Sequence, residues 1–258
     1  MIKTFRHIVA ILILSSVSVV AILANTSETP GRKPAAIKYP AFALMELFTS
    51  QGCSSCPPAD AIAAAYAVKN DDNIIPLVFH VDYWNRLGWV DSFSNSAYSQ
   101  RQKDYAEKFN LESIYTPQLV VNGKKQLVGS DKNEIDGIVR DMLKEPAKAN
   151  IEIYPVTVEQ NKIMIRYNIS ESLPGATVHA ALVQKNAMTH IRSGENRGLK
   201  LNNCNVVRDF KSHTLKKEDG GFVLNLPAGN QTSDYFIAVF VQDNSTGNIL
   251  AAVKVNCN

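Results

Sequence analysis

The 258-residue sequence contains few cysteines and has no marked excess of charge of either sign. Four cysteines in a chain of this length exclude a small scaffold held together by disulfides. With 27 basic and 24 acidic residues the net charge is +3, which excludes a strongly basic nucleic-acid-binding protein. Hydrophobic residues make up 45% and charged residues 20%, values typical of a folded chain. We therefore expect a globular protein with no nucleic-acid partner.

Long apolar runs are also absent, with one exception at the N-terminus. Lys3 and Arg6 precede a mostly apolar run from residue 8 to residue 24, and a polar stretch follows. Positive charge, an apolar run and small residues at its end are typical of a secretory signal. Residues 1–24 are therefore predicted to be a signal peptide, cleaved after Ala21 or Ala24, or an N-terminal anchor. The protein is expected to be periplasmic or secreted, with inner-membrane contact only if this segment stays uncleaved.

Residues 25–40 are rich in proline and are predicted to be a linker. Over residues 41–147, strand-like and helix-like patterns alternate in the order β-α-β-α-β-β-α. Asn122-Gly123 separates the third and fourth strands and is the typical signal of a tight hairpin. Ser130-Asp131 opens the last helix, and Pro146 ends it. This order predicts a small α/β domain with helices packed on a central sheet.

The pattern changes after Pro146, because residues 148–258 show short alternating segments and no helical period. The segments are bounded by glycine, asparagine, aspartate or proline, and they are 151–158, 162–169, 177–183, 206–210, 221–226, 235–241 and 250–255. Such spacing predicts a β-sandwich-like second domain. The expected architecture is an α/β domain over residues 41–147 followed by an all-β domain over residues 148–258.

The first predicted strand leads directly into Cys53-Ser54-Ser55-Cys56, a CxxC motif at the expected start of a helix. A CxxC motif near a βαβ pattern is typical of a thioredoxin-like redox site. The helix N-terminus favours a thiolate, so we expect an exposed Cys53 with a lowered pKa to be the nucleophile. Cys56, one turn deeper, would be the resolving cysteine. Because Pro57 disfavours helical dihedral angles at Cys56, an irregular first turn is predicted.

Three other interpretations of the motif remain open. A zinc site would need a second pair of ligands at suitable spacing, and the sequence offers none. A Cu(I) site could combine Cys53 and Cys56 with His80, at the end of the second predicted strand. An inert structural disulfide is the third. We prefer the redox interpretation, with no metal or other cofactor beyond the Cys53–Cys56 disulfide, because disulfides persist in exported proteins.

A second feature supports the redox interpretation. Thr116-Pro117 immediately precedes the third predicted strand. In a thioredoxin-like domain the proline at this place is cis and faces the CxxC motif, which exposes backbone groups to a substrate strand. An ordinary trans bond at the entrance to the strand is the alternative. We predict a cis bond, with Thr116 and Pro117 docking the substrate beside Cys53.

Several stretches of the sequence resemble a bacterial family of exported proteins, domain-of-unknown-function family 1223. The matching stretches are Glu46–Asp60, His80–Trp84, Tyr115–Gln118, Gly194–Gly198 and Asn205–Arg208. The likeness covers most of the chain from about residue 42. The resemblance implies a thioredoxin-like fold and a thiol–disulfide role, but it carries no established reaction.

Three further residues are candidates for the site. Tyr83 and Trp84 follow the second predicted strand, where loops of an open α/β sheet line the ligand crevice. They could contact a peptide or a small disulfide, or they could pack against the β domain. Glu46 lies among apolar residues of the first strand. A buried carboxylate there could relay protons to Cys56, or it could simply bond to a neighbouring strand.

Cys204 and Cys257 are the remaining cysteines. If Cys53 and Cys56 form one pair in an oxidising compartment, these two are left as partners for each other. We therefore predict a structural disulfide between them, with two free thiols or an intermolecular link as the alternatives.

The sequence thus predicts an exported, monomeric thiol–disulfide oxidoreductase-like protein that acts through Cys53 and Cys56. Its expected partner is an exported protein or a small thiol or disulfide. A Cu(I)-binding metallochaperone is one alternative. A protein that binds a cell-envelope partner without catalysis is the other.

Overall fold

The computed structural model describes residues 39–257. The predicted signal or anchor, and the linker up to residue 38, lie outside the described residues. Apart from a short 3-10 helix at Asn85–Leu87, the first seven elements are β1 (Ala43–Thr49), α1 (Pro57–Val68), β2 (Ile74–His80), α2 (Ser96–Lys108), β3 (Gln118–Val121), β4 (Lys125–Val128) and α3 (Lys132–Met142). They follow the predicted order, and the predicted bounds of β3 and β4 are confirmed.

Local chemistry sets the ends of these elements. α1 begins with two prolines, which suit the first helical positions because the N–H groups there have no partner within the helix. α2 is capped by Asn95 and α3 by Asp131, whose side chains accept hydrogen bonds from Ala97 N and Glu134 N. In the β3–β4 turn, Asn122 and Gly123 both have positive φ angles, 51° and 62°, as a tight hairpin requires.

Eight strands and a short 3-10 helix (Thr232–Asp234) follow in the described chain. The strands are β5 (Ile151–Ile153), β6 (Thr157–Glu159), β7 (Lys162–Ile169), β8 (Ala176–His190), β9 (Lys200–Thr214), β10 (Asp219–Asn225), β11 (Tyr235–Asp243) and β12 (Ile249–Asn256). The first predicted segment is split into β5 and β6. β8 and β9 are much longer than predicted, 15 residues each.

The strands form two sheets. Eight strands lie in the order β12-β11-β8-β9-β2-β1-β3-β4, and a smaller sheet has the order β10-β7-β5, with β6 also paired to β7. β1 and β2 are parallel, whereas β3 is antiparallel to β1 and β4 is antiparallel to β3. β2 also pairs with β9 at Val78 and Val206.

The pairing of β2 with β9 joins strands from either side of the expected boundary at residues 147/148. The protein is therefore a mixed α/β fold built on one large sheet, and it differs from the expected pair of separate domains. Alternation of residue types identified the strands but carried no information about which strand would lie beside β2, because strand pairing is a non-local property.

Two cores lie on opposite faces of β1 and β2. On one face, apolar residues of β1 pack against α1 and α3, with Met45, Ala63 and Ile135 among them. On the other face, Phe48 and Phe79 pack with Tyr98 and Tyr105 of α2 and with residues of β8, β9 and β11. A third core fills the space between the smaller sheet and the β8–β11 part of the large sheet.

None of the helices in residues 39–257 combines the length and the apolar character needed to cross a bilayer.

Candidate functional site

The two cysteines of the CxxC motif form a disulfide at the junction of β1 and α1. Their Cα atoms are 5.4 Å apart. Cys56 is the N-cap of α1 and has helical dihedral angles, φ −80° and ψ −36°. Its carbonyl accepts hydrogen bonds from Ala59 N and Asp60 N at 2.9 and 3.1 Å. The expectation of an irregular first turn was wrong, because Cys56 adopts the helical region despite the proline that follows it.

The disulfide is shielded from solvent. Cys53 and Cys56 are both fully buried, so the expectation of an exposed Cys53 was wrong. Ser54 and Ser55, between them, are exposed. The β8–β9 connection packs against this turn, because its buried Asn196 donates hydrogen bonds to the carbonyls of Gln51 and Cys53, each at 2.9 Å.

The loop before β3 lies against the CxxC turn. The Thr116–Pro117 peptide bond is cis, as predicted. Ser55 Oγ donates to the carbonyl of Thr116 at 3.4 Å. Trp84 Nε1 donates to Thr116 Oγ1 at 2.8 Å, and the Trp84 side chain also lies beside Gly52. Trp84 therefore bridges the CxxC turn and the Thr116–Pro117 loop.

The other aromatic residues of this region are held by hydrogen bonds to α2 and to the CxxC turn. Tyr83 is half-buried, and its hydroxyl donates to Gln102 Oε1 of α2 at 3.2 Å. Burial raises the pKa of Tyr83 to about 12. Trp89 Nε1 donates to Gln51 Oε1 at 3.0 Å. Of the two tryptophans, Trp84 thus contacts Thr116, whereas Trp89 contacts Gln51.

Glu46 is buried, but it is not placed to serve Cys56. Its carboxylate accepts hydrogen bonds from Arg101 Nε and Nη2 at 2.5 and 2.9 Å and from the Tyr105 hydroxyl at 2.5 Å. Arg101 and Tyr105 belong to α2, on the face of β1 opposite α1. The proton-relay prediction was wrong for this residue, because alternation along β1 turns Glu46 away from the helix that carries Cys56.

On the α1 side, Asp60 is a half-buried carboxylate with an enclosed Oδ1 atom, and the sequence analysis did not single it out. It lies four residues after Cys56, so the two side chains share one face of α1. Burial raises the pKa of Asp60 to about 6, although the His80 ring and the Thr49 hydroxyl partly oppose this rise. The i, i+4 spacing from Cys56 was the signal that could have identified it.

One buried oxygen of Asp60 and two buried polar atoms of neighbouring residues have no hydrogen-bond partner in the described part of the chain. Among residues 39–257, Thr49 Oγ1, Asp60 Oδ1 and His80 Nε2 form no hydrogen bond. Thr49 and His80 are paired across β1 and β2, so their side chains project from the same face of the sheet. Unsatisfied buried polar groups cost stability, and they are uncommon outside functional sites.

His80 does not form a metal site with the cysteines. Its Nδ1 lies 2.7 Å from Asp91 Oδ2, and both side chains are buried. Burial disfavours the charged ring, but the Asp91 carboxylate outweighs this and raises the pKa of His80. No cluster of three or more histidine, cysteine or acidic residues that could bind a metal occurs in the described part of the chain. The three-ligand copper arrangement is therefore not formed.

Cys204 and Cys257 are both free and buried, so the predicted disulfide between them was wrong. Cys204 lies on β9, and Cys257 directly follows β12. β8 and β11 separate those strands, which places them about 14 Å apart at the usual strand spacing. A disulfide requires Cα atoms within about 7 Å. Burial raises the pKa of both thiols, that of Cys257 to about 11.

Comparison with known proteins identifies a family and two similar structures. Residues 44–242 match a family described as protein of unknown function (DUF1223). Protein AGR_C_4864 from Agrobacterium tumefaciens is 25% identical with a TM-score of 0.64, and the match covers 84% of this chain and 96% of that one. HBP35 of Porphyromonas gingivalis is 16% identical with a TM-score of 0.57, covering 84% of this chain and 76% of that one. At 16% identity, the similarity to HBP35 shows only that the two proteins share a fold. No match was found among curated proteins.

Proposed function

The chain belongs to the DUF1223 family, and we propose that it is an exported, thioredoxin-like protein that exchanges thiols and disulfides through Cys53 and Cys56. The observation that carries the proposal is the position of the Cys53–Cys56 disulfide. It lies at the start of α1, directly beside the Thr116–Pro117 loop.

The arrangement of the first seven elements supports a thioredoxin-like module. The strands β2-β1-β3-β4 are neighbours in that order, with β1 and β2 parallel and β3 and β4 antiparallel. α1 and α3 pack on one face of these strands and α2 on the other. This places the CxxC motif at the carboxyl end of β1, where open α/β sheets bind ligands.

The proposed chemistry is a two-electron exchange with a substrate disulfide. In the reducing direction, the Cys53 thiolate attacks one substrate sulfur, forms a mixed disulfide and releases a substrate thiolate. The Cys56 thiolate then attacks Cys53 Sγ, which releases the second substrate thiolate and re-forms the Cys53–Cys56 bond. The two protein thiols are oxidised and the substrate disulfide is reduced. The oxidising direction is the reverse of these steps.

Asp60 is proposed to accept the proton that Cys56 loses in the second step. It shares the buried face of α1 with Cys56, and a general base acts best when its pKa lies near the working pH. The pKa of Asp60, raised by burial to about 6, meets that condition. His80, held by Asp91, and Thr49 complete the polar surroundings of the carboxylate.

The substrate is proposed to be an exported protein or a small thiol or disulfide that docks on the Thr116–Pro117 loop and Trp84. The nearly balanced charge favours recognition by shape and aromatic contact over electrostatic steering. Because Cys53 is fully buried, exchange requires the loops around it to open. Export rests on the N-terminal segment, residues 1–24, and a monomer is proposed.

The test is insulin reduction and oxidation of a model dithiol by the purified protein. A Cys204→Ala/Cys257→Ala variant, which keeps only the CxxC thiols, should exchange at the wild-type rate. Adding Cys53→Ser to that variant should abolish exchange. Equal rates with and without Cys53 would overturn the proposal and would favour a non-catalytic role in binding a cell-envelope partner.

A further inference from the structure

The connection between β8 and β9, residues 191–199, folds back on itself and is named the tip loop here. Ile191 N donates to the Leu199 carbonyl at 2.9 Å, and Gly198 N donates to the Ile191 carbonyl at 2.8 Å. Gly194 and Gly198 have φ angles of 75° and 87°, in the region that favours glycine. These bonds and turns give the loop a definite shape at the end of two long strands.

The tip loop packs against the loops of the candidate site and is hydrogen-bonded to them. Ser193 Oγ donates to the Gly88 carbonyl at 2.5 Å, and Gly194 packs beside Trp89. The buried Asn196 amide bonds two carbonyls of the CxxC turn, as described above. These contacts fix the backbone on both sides of Glu195.

Glu195 places a carboxylate directly on the CxxC turn. Its Oε2 accepts a hydrogen bond from the backbone N–H of Ser54 at 3.1 Å. Ser54 N is three covalent bonds from the Cβ atom of Cys53, so Glu195 Oε2 lies within about 8 Å of that atom. Hydrogen bonds from Ser54 hold the pKa of Glu195 below its usual range, and the carboxylate is therefore ionised at neutral pH.

Other charged groups surround the turn, and none of them is bonded to Glu195. They are Arg192 and Arg197 on the tip loop, Asp60 on α1, and the His80–Asp91 pair at the end of β2. Among residues 39–257 Glu195 forms no ion pair. Asp91 Oδ2 also accepts a hydrogen bond from the turn, from Gln51 N at 2.8 Å, but Asp91 is paired with His80. Glu195 is thus a carboxylate without a cationic partner among the described residues that bonds the turn between the two cysteines.

We infer that Glu195 is a positioning residue of the CxxC turn that opposes the Cys53 thiolate and shifts the equilibrium from the dithiol toward the disulfide. A nearby negative charge disfavours a second one, so it raises the pKa of the Cys53 thiol. A dithiol whose thiolate is destabilised gives up its electrons more readily, since a stabilised thiolate is what makes such a pair oxidising. The inference rests on the proposed exchange function and adds a direction to it. Glu195 favours the direction in which the protein dithiol reduces a substrate disulfide.

The test compares Glu195→Gln with the unaltered residue in the Cys204→Ala/Cys257→Ala background. The pKa of Cys53 is read from thiolate absorbance against pH. The reduction potential is read from equilibrium with glutathione, in which two glutathione thiols are oxidised to one disulfide as the Cys53–Cys56 bond is reduced. We expect a lower pKa for Cys53 and an equilibrium displaced about tenfold toward the dithiol, equivalent to about 30 mV less negative.

Two controls separate charge from structure. Glu152→Gln removes an exposed carboxylate on β5 and should change neither quantity. Salt at about 1 M, where the screening length is about 3 Å, should shrink the effect of Glu195→Gln. An unchanged Cys53 pKa and potential in Glu195→Gln, or a shift in the opposite direction, would overturn the inference. Because the absorbance readout of the Cys53 pKa needs no exchange partner, failure of the wild type in the insulin assay would count against the proposed function alone.

Discussion

Glu46, which is buried, and Asp60, which is half-buried, are carboxylates on opposite faces of the same sheet, and they differ in how they are paired. Glu46 receives two bonds from Arg101 and one from Tyr105. Arg101 is itself enclosed by aromatic rings, with its guanidinium 5.0–5.9 Å from four ring centres. Asp60 has no cation bonded to it, and its Oδ1 has no partner among the described residues. The paired carboxylate supports the fold, whereas the unpaired one lies four residues from Cys56 and is proposed to accept the proton of that cysteine.

The largest effect on stability is expected from breaking the Glu46–Arg101 ion pair. Glu46→Gln keeps the side-chain volume but leaves the buried Arg101 guanidinium without its counter-charge. Removing one partner of a buried ion pair costs about 3–5 kcal/mol. Urea unfolding should therefore show a fall of that size in the free energy of unfolding, with no such fall in Glu152→Gln. A fall in the free energy of unfolding below about 1 kcal/mol would mean that Arg101 is hydrated. The Glu46 pair would then contribute no more to the fold than an exposed ion pair does.

Asp60→Asn should raise the stability of the protein, in contrast to Glu46→Gln. The pKa of Asp60 is about 6 in the folded protein and about 3.9 in an unfolded chain, a difference worth about 3 kcal/mol. The folded state therefore binds the extra proton between pH 4 and pH 6, so the wild type loses stability as pH rises through that window and keeps the whole penalty above it. Asp60→Asn should be about 3 kcal/mol more stable than the wild type at pH 7.5 and equal to it near pH 3.

Urea unfolding of both proteins at the two pH values checks this, with Asp72→Asn, at an exposed carboxylate, as the matched control. A stability difference that does not change with pH would show that Asp60 is ionised freely in the fold. In the exchange assay, Asp60→Asn should slow the step in which Cys56 attacks the mixed disulfide.

Local patterns in the sequence were enough to predict the elements around the site. Apolar alternation, helix caps and Asn122-Gly123 are local signals, and the structure has β1 to α3 in the predicted order. The extra length of β8 and β9 was not predictable in this way. Residues 184–190 and 200–205 are largely polar, and their pairing, such as Asn186 with Cys204, rests on backbone hydrogen bonds.

The partners of single residues depended on non-local geometry. Glu46 meets Arg101 only because α2 packs on that face of β1. Cys204 and Cys257 were assigned to each other by elimination, which fails when two strands lie between them. Asp60 differs from these residues, because its spacing from Cys56 is local. A prediction that Cys56 has helical dihedral angles would have placed Asp60 on the same helix face and identified it as a candidate.

The smallest effect on stability, and the sharpest test of function, comes from the two tryptophans. Trp84→Phe and Trp89→Phe each remove one indole hydrogen bond from a half-buried ring, to Thr116 Oγ1 and to Gln51 Oε1 respectively. Each should cost about 0.5–1.5 kcal/mol of stability. Because only Trp84 contacts the loop proposed to dock substrate, we expect kcat/KM for exchange to fall several-fold in Trp84→Phe and to stay near wild type in Trp89→Phe. Equal losses of activity in both variants would mean that both rings only support the CxxC turn. The two faces of the sheet would then differ in how their carboxylates are paired, but Trp84 would have no separate role in docking substrate.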